Sequence, residues 1–164
     1  MRLQICAVLF MAVAWMACQE EKPYQVKTGM EGKLLPAFNI QLLDSTSFIH
    51  SEDLPKGKNL VLFYFKPTCP YCRAQMRDML NNIERFKDKQ VCVLTNESLK
   101  GANRFASYFK LNRFNNVIVG RDTGSVVLKT YRSLGVPLTA FFDKNKLLKA
   151  LYSGRMGPNT FLQF

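Results

Sequence analysis

The sequence predicts an α/β fold: a central mixed sheet flanked by helices, with an N-terminal β-hairpin extension. Apolar runs of strand length alternate with segments of helical periodicity through the middle of the chain, which indicates strands joined by helices. Near the C-terminus, two apolar runs flank a short polar turn, which predicts antiparallel strands. The length of 164 residues suits a single domain with its own core.

The hairpin is predicted within residues 33–54, where two loosely alternating segments flank a polar turn at residues 44–47. After a loop, residues 59–65 form a continuous apolar run, typical of a strand buried on both faces. Pro70 then opens a helix, because proline at the first helical position gives up no hydrogen bond.

The later elements follow from the spacing of apolar residues. The first helix continues to about residue 87, followed by a strand at 90–95, a helix at 98–110, a strand at 116–119, a short helix at 125–134 and strands at 137–142 and 147–152. The last two strands are expected to form a hairpin at one edge of the sheet. Phe105, Tyr108 and Phe109 are expected to pack their helix, and Cys92 to be an inert core thiol.

The chain is strongly basic, with a net charge of +11 and a single histidine, His50. Such a balance is compatible with nucleic acid, an anionic membrane or an acidic partner. The lysines and arginines are spread along the chain rather than gathered in one block. We therefore interpret them mainly as a solvated surface and expect no nucleic-acid partner.

The first residues resemble a bacterial lipoprotein signal peptide, which we assign to residues 1–17. Arg2 gives a positive start, an apolar run follows, and a small residue stands directly before Cys18. The resemblance implies cleavage before Cys18 and diacylation of its thiol, so that lipid holds the protein on a membrane. Residues 18–32 are then a tether, and residues 33–164 the folded domain.

Two other interpretations of this segment remain open. The residue three before Cys18 is Trp15, where the lipoprotein signal usually has leucine. Ordinary cleavage after Ala14 would leave a soluble exported protein. An uncleaved segment packed on the core is the third possibility.

Cys69-Pro70-Tyr71-Cys72 is the motif that carries chemistry, because it stands between a buried strand and the start of a helix. A zinc site needs two further ligands, whereas the chain offers one histidine and a mid-strand Cys92, so we expect no metal. A purely structural disulfide does not account for the placement at a helix start.

The helix start explains why Cys69 is the expected nucleophile. Unpaired N–H groups and the helix dipole favour the thiolate form there. Lys66 and Arg73 add positive charge nearby in sequence and are candidates for tuning the acidity of the Cys69 thiol. Cys72 lies one turn further on and is expected to be the buried resolving thiol.

These motifs resemble the thioredoxin superfamily, and within it the membrane-tethered TlpA-like or redoxin-type group. The resemblance is carried by Leu35-Pro36-Ala37-Phe38, Gly57-Lys58, the apolar strand, Cys69-Pro70-Tyr71-Cys72-Arg73, Gly135-Val136-Pro137 and Phe141-Phe142-Asp143. It implies a thioredoxin-like fold and a thiol–disulfide oxidoreductase with no cofactor beyond the Cys69–Cys72 disulfide. Val136 and a cis Pro137, with Pro70 and Tyr71, are the implied substrate-binding residues.

The same resemblance implies client proteins with disulfides or dithiols and a redox partner in the bacterial cell envelope. The expected enzyme is a monomer, lipid-anchored and facing the periplasm or the cell surface. The chain departs from the family at Thr68, Phe63 and Gln75, where tryptophan, aspartate and glutamate are usual. Alternatives are a non-catalytic surface binding module, a glutathione-linked enzyme suggested by the Pro-Tyr pair, and a peroxiredoxin-like enzyme.

Overall fold

The computed structural model describes residues 24–133 and 135–164. Its strands are β1 (Tyr24–Gln25), β2 (Asn39–Leu42), β3 (Phe48–His50), β4 (Leu60–Tyr64), β5 (Gln90–Thr95), β6 (Val117–Asp122), β7 (Leu138–Phe142) and β8 (Leu148–Ser153). Its α-helices are α1 (Pro70–Asn81), α2 (Leu99–Tyr108) and α3 (Val126–Thr130), with 3₁₀ helices at Ser51–Asp53, Ile83–Phe86, Leu111–Arg113 and Pro158–Gln163. No helix in this described part is long and apolar enough to cross a membrane.

The strands form one mixed sheet in the order β1-β8-β7-β4-β5-β6-β2-β3. β4 and β5 pair in parallel, as do β5 and β6, while the remaining neighbours are antiparallel. β4 lies near the centre, between β5 and β7, and all of its residues are buried. The predicted fold class is confirmed: a central mixed sheet flanked by helices, with a hairpin near the N-terminus.

The core has two layers, one on each face of the sheet. Val61 and Phe63 of β4 face the layer beneath α1 and α2, whereas Leu62 and Tyr64 face the layer that includes α3. α1 and α2 share a face because two right-handed crossovers step across the sheet in the same direction, from β4 to β5 to β6. The continuous apolar runs of the sequence are therefore the strands that must be buried on both faces.

The predicted hairpin is present as β2 and β3. Its polar turn is closed by Asp44, whose carboxylate accepts hydrogen bonds from the backbone N–H groups of Thr46 and Ser47. Ile40 of β2 is fully buried and Phe48 of β3 is exposed, so the hairpin contributes one side to the core and ends the sheet.

β6 continues three residues beyond the predicted strand. Its extension, from Gly120 to Asp122, pairs with β2. A Cβ at Gly120 would lie 2.7 Å from the carbonyl oxygen of Gln41, closer than real Cβ contacts, so glycine permits this approach. The sequence prediction stopped short because the residues that follow Gly120 are polar.

The predicted tether at residues 18–32 is wrong in its C-terminal part. β1 pairs with β8, placing Tyr24 opposite Ser153, and Ser153 in turn pairs with Leu138 of β7. The N–H of Gly32 donates to Leu148, so residues 24–32 run beside β8 and belong to the domain. Backbone pairing needs no apolar periodicity, which explains the error. The predicted hairpin of β7 and β8 is confirmed, although β8 is not the edge of the sheet because β1 pairs with it. Residues 1–23, including Cys18, lie outside the described residues.

Cys92 is fully buried in β5 between Leu62 and Ile118 on the neighbouring strands. Burial raises the pKa of its thiol to about 12, from an ordinary value of 9.0. The folded protein therefore keeps this proton above pH 9, whereas the unfolded chain releases it. Because the unfolded state then binds fewer protons, this residue makes stability fall as the pH rises from about 9 to about 12.

We predict that the stability advantage of the wild type over Cys92→Ala shrinks by about 1 kcal/mol between pH 9 and pH 10, following the linkage relation. Urea unfolding at both pH values measures the difference. Val93→Ala, an apolar truncation in the same strand, is the control, and its cost should not change with pH. A constant Cys92→Ala cost across this interval would contradict the argument.

Candidate active site

The loop after β4 places Cys69 at the start of α1. The backbone N–H of Phe65 still donates to Leu94 of β5, so the chain leaves the sheet only after this residue. A turn then forms, in which the N–H of Cys69 donates to the carbonyl of Lys66 at 3.0 Å. Pro70 occupies the first helical position, and Cys69 has extended backbone angles as the N-cap residue. The strand-to-helix placement expected from the motif is confirmed.

The two cysteines differ in exposure and in hydrogen bonding. The Cys69 sulfur accepts a hydrogen bond from the backbone N–H of Cys72, with an N···S distance of 3.2 Å. Cys69 is partly exposed, whereas Cys72 is fully buried. Burial raises the pKa of the Cys72 thiol well above its ordinary value, and the neighbouring Cys69 side chain raises it further. The arrangement suits attack by Cys69 first and by Cys72 second.

The loop before β7 lies against the nucleophile. The Val136–Pro137 peptide bond is cis, as the sequence predicts. The Cys69 sulfur lies 3.8 Å from the Val136 carbonyl oxygen, within hydrogen-bonding distance for a thiol donor. The Pro137 carbonyl accepts from the N–H of Gly154 at 2.9 Å, which ties the loop to the end of β8. Cys69 and Val136 thus form adjoining parts of one surface.

The other predicted site residues lie around this surface in two different ways. Pro70 is exposed, and the Tyr71 side chain is 66% exposed, so both face any molecule that approaches Cys69. The Lys66 ammonium lies 3.9 Å from the Glu97 carboxylate, and the Arg73 Nε donates to the Pro67 carbonyl at 3.1 Å. Both cations are thus engaged by groups other than the sulfur, and their effect on the Cys69 thiolate stays a prediction.

α2 packs directly against the active-site loop, a contact that the sequence analysis missed. A Cβ at Gly101 would lie 3.0 Å from the Pro67 side chain, so glycine at this position lets the helix approach closely. At the other end of α2, the Tyr108 ring lies 5.5 Å from the Arg73 guanidinium carbon, a cation–π distance. Tyr108 is 61% exposed, and its ring packs edge-on against Phe109 at 4.8 Å, so it packs the outer flank of its helix rather than the core.

Phe105 and Phe109 do pack α2 as expected, and both are buried. Tyr108 differs because its helical position lies on the flank that meets α1 rather than the face that meets the sheet. Apolar spacing alone does not distinguish these two positions, since an aromatic ring suits either. The sequence offers Arg73 as a basic partner for Tyr108. Only the packing of the two helices shows that these two side chains meet.

Gln75 lies beneath Cys72 on the buried side of α1. Its side chain is fully buried, and its carbonyl oxygen accepts a hydrogen bond from the backbone N–H of Met156. Its amide nitrogen has no hydrogen-bond partner among the described residues. The contact couples the C-terminal segment to α1, and it places a neutral group where the resembling family usually has a carboxylate.

No cluster of three or more histidine, cysteine or acidic side chains that could hold a metal occurs among the described residues. Cys92, the remaining thiol of the described chain, lies on the opposite face of the sheet from Cys72.

An N-capping thiol above a buried thiol, on a mixed sheet of this topology, defines a thioredoxin-fold thiol–disulfide oxidoreductase of the TlpA/DsbE type. The chain belongs to the AhpC/TSA family, whose sequence model matches residues 32–162. The thiol:disulfide interchange protein DsbE of Escherichia coli strain K12 is 22% identical over 174 residues. That match covers 95% of this chain and 86% of the relative.

Solved structures show the same fold. A secreted Mycobacterium tuberculosis disulfide oxidoreductase homologous to E. coli DsbE superposes with a TM-score of 0.62 at 17% identity, covering 75% of this chain and 90% of that chain. The exposed lipoprotein thioredoxin of Streptococcus pneumoniae superposes with a TM-score of 0.59 at 25% identity, covering 78% of this chain and 96% of that chain.

We predict that Gln75→Glu makes stability depend on pH in the acid range. Burial raises the pKa of a carboxyl group, so the folded variant keeps a proton that the unfolded chain releases above about pH 4.3. Stability should therefore fall as the pH rises, costing about 1–3 kcal/mol at pH 7 and little at pH 4. Urea unfolding across this range measures the effect.

Gln75→Met is the control for this substitution. It removes the acceptor for the Met156 N–H without adding a titratable group, so its cost should be the same at pH 4 and pH 7. An equal loss of stability for Gln75→Glu at pH 4 and pH 7 would contradict the prediction and show that water reaches this position.

Proposed function

We propose that this protein is an exported, membrane-anchored enzyme that reduces or exchanges the disulfides of other proteins through Cys69 and Cys72. The observation that carries the proposal is the environment of the Cys69 sulfur. It is accessible from solvent, it accepts the Cys72 N–H, and it lies beside the Val136 carbonyl. An accessible sulfur that already receives a hydrogen bond suits a thiolate nucleophile.

The proposed reaction has two exchange steps. The Cys69 thiolate attacks one sulfur of the client disulfide, forming a mixed disulfide and releasing the other client sulfur as a thiolate, which takes up a proton. Cys72 then loses its proton and attacks the Cys69 sulfur, so that the Cys69–Cys72 disulfide forms. The second client sulfur leaves and is protonated. Two electrons pass from the enzyme to the client, and the reverse sequence oxidises a client dithiol.

Burial gives Cys72 a definite place in this order. While Cys69 is free, the raised pKa of Cys72 keeps its thiol protonated, so Cys72 does not compete for the client. Once Cys69 is in a mixed disulfide, its sulfur no longer carries a negative charge that opposes ionisation of the Cys72 thiol. The second attack thereby becomes easier only after the first has occurred.

The client is proposed to bind in extended conformation across the Val136–Pro137 loop. Val136 lies next to the attacking Cys69 sulfur, so a peptide strand paired with this loop would present its disulfide to Cys69. Pro70 and the exposed Tyr71 ring would contact the client on the helix side. The Cys69–Cys72 disulfide is the only redox group that this mechanism requires, and an envelope partner would restore its reduced form.

We predict that Cys69→Ser abolishes insulin-disulfide reduction driven by dithiothreitol, because serine forms no disulfide. Cys72→Ser should accumulate a mixed disulfide with the client, since the second attack is lost. Turbidity of reduced insulin measures the first effect, and non-reducing electrophoresis with mass spectrometry measures the second. Cys92→Ala is the control, because this thiol lies on the other face of the sheet.

Three results would contradict the proposal. Insulin reduction by the wild type no faster than by Cys69→Ser would favour the non-catalytic binding module. A mixed disulfide trapped by Cys69→Ser rather than by Cys72→Ser would reverse the roles. Reduction of hydrogen peroxide in place of insulin would favour the peroxiredoxin-like alternative.

The anchoring proposal rests on the sequence before the described domain. An apolar segment ends at Cys18, and one structural neighbour is described as an exposed lipoprotein thioredoxin. We therefore propose a location in the bacterial cell envelope, with diacylated Cys18 in the membrane and the domain facing the periplasm or the cell surface.

We predict that Cys18→Ala moves the protein from the detergent phase to the aqueous phase in a Triton X-114 partition, or leaves it unprocessed, because the lipid attachment site is lost. Cys6→Ala, within the same apolar segment, is the matched control and should leave partitioning unchanged. Mass spectrometry of the wild type should find a lipid at Cys18. An unmodified mature chain that begins at Trp15 would contradict lipid anchoring.

A further inference from the structure

The surface beside Cys69 carries a concentration of positive charge. We define the cationic face by the loop residue Lys66, by Arg73 and Arg77 of α1, and by Lys100, Arg104 and Tyr108 of α2. All six side chains are exposed. The basic residues are dispersed along the sequence, but α1 and α2 lie on the same face of the sheet, so folding brings these five cations to the side of the molecule that carries the nucleophile.

The α1 half of the face follows from helical spacing. Arg73 and Arg77 lie four and eight residues after Cys69, so all three share one side of the helix. Arg73 is held in place by its hydrogen bond to the Pro67 carbonyl and by the Tyr108 ring. The row of cations therefore starts one turn from the reactive sulfur.

The α2 half is positioned by two contacts with the active-site region. Gly101 packs on Pro67, and Tyr108 packs on Arg73, so this flank of α2 lies beside the active-site loop and the first turn of α1. Lys100 and Arg104 precede Tyr108 by eight and four residues and share its side of the helix. Both cations consequently lie on the exposed side of α2 that carries the contact with Arg73.

Few acidic groups balance this charge. Glu97 lies 3.9 Å from Lys66, and exposed pairs at such distances are weak. The Asp78 carboxylate, next to Arg77 in sequence, is bound by the Arg155 guanidinium at 2.7 Å and 3.1 Å. The face therefore keeps a local surplus of positive charge on the surface where a client disulfide must arrive.

We propose that the protein partner whose disulfide meets Cys69 carries acidic residues beside its cysteines and docks them on the cationic face. This inference rests on the proposed function and names the chemistry of the client. A net charge of +11 would attract any anion, but charge placed within a few turns of the nucleophile selects for charge near the client's disulfide. Arginine and tyrosine side chains also suit recognition of carboxylates and peptide surfaces.

The test uses three short peptides that share one intramolecular disulfide and differ only in the flanking residues, which are acidic, neutral or basic. The second-order rate constant for reduction is measured with the full chain at ionic strengths of about 0.01 M and about 1 M, where the Debye length is ~30 Å and ~3 Å. The acidic peptide should react about tenfold faster than the neutral one at low salt, and the preference should disappear at high salt.

Two charge-reversal variants separate the face from the overall charge. Arg77→Glu, Lys100→Glu and Arg104→Glu together should abolish or reverse the preference for the acidic peptide. The control combines Lys56→Glu, Lys58→Glu and Lys144→Glu, three exposed lysines in loops at the opposite end of β4. It makes the same change in net charge and should keep the preference. Circular dichroism confirms that each variant is folded.

Four outcomes would overturn the inference. These are equal rates for the three peptides at low salt, equal loss in both variants, a preference that survives high salt, and binding of the face to anionic phosphatidylglycerol vesicles without a peptide preference. The failure of the proposed function is distinct, since none of the peptides would then be reduced faster than by Cys69→Ser.

Discussion

The point at which the buried strand β4 ends determines where the two reactive thiols of this molecule lie. β4 pairs with β5 on one side and with β7 on the other, and none of its side chains reaches solvent. The chain leaves the sheet at the end of β4, where a turn and Pro70 place Cys69 at the N-cap of α1. The Cys72 N–H then reaches the Cys69 sulfur at 3.2 Å, and the second thiol is carried into the core. The exposure of Cys69 and the burial of Cys72 therefore both follow from the position at which α1 begins.

The parts of the fold that the sequence predicts well are those encoded locally. A strand buried on both faces must be apolar throughout, so β4 and β5 are visible as uninterrupted runs. Likewise, the cysteine motif combines a proline at the first helical position with two thiols one turn apart. Val136 and Pro137 were found through family resemblance, and the contact between Val136 and Cys69 joins residues 67 positions apart.

The parts that were missed depend on contacts between distant segments. β1 pairs its backbone with β8, and backbone pairing leaves no trace in side-chain periodicity. β6 extends past Gly120 because glycine has no side chain to prevent the close approach of the Gln41 carbonyl, which belongs to β2. Tyr108 meets Arg73 across two helices, so neither helix alone predicts the contact. Such features require the tertiary arrangement, because their energetic benefit comes from groups that are remote in sequence.

The position of β1 determines which end of the sheet the proposed lipid anchor would be attached to. Tyr24 lies opposite Ser153, which pairs with Leu138, and Leu138 pairs with the last residue of β4. The described part of the chain therefore begins at the same end of the sheet as the active site. In the proposed form with lipid on Cys18, the six residues between the lipid and Tyr24 could span at most about 20 Å. The short connection would keep the Cys69 sulfur close to the bilayer. It would therefore meet clients near the membrane surface rather than clients throughout the surrounding compartment.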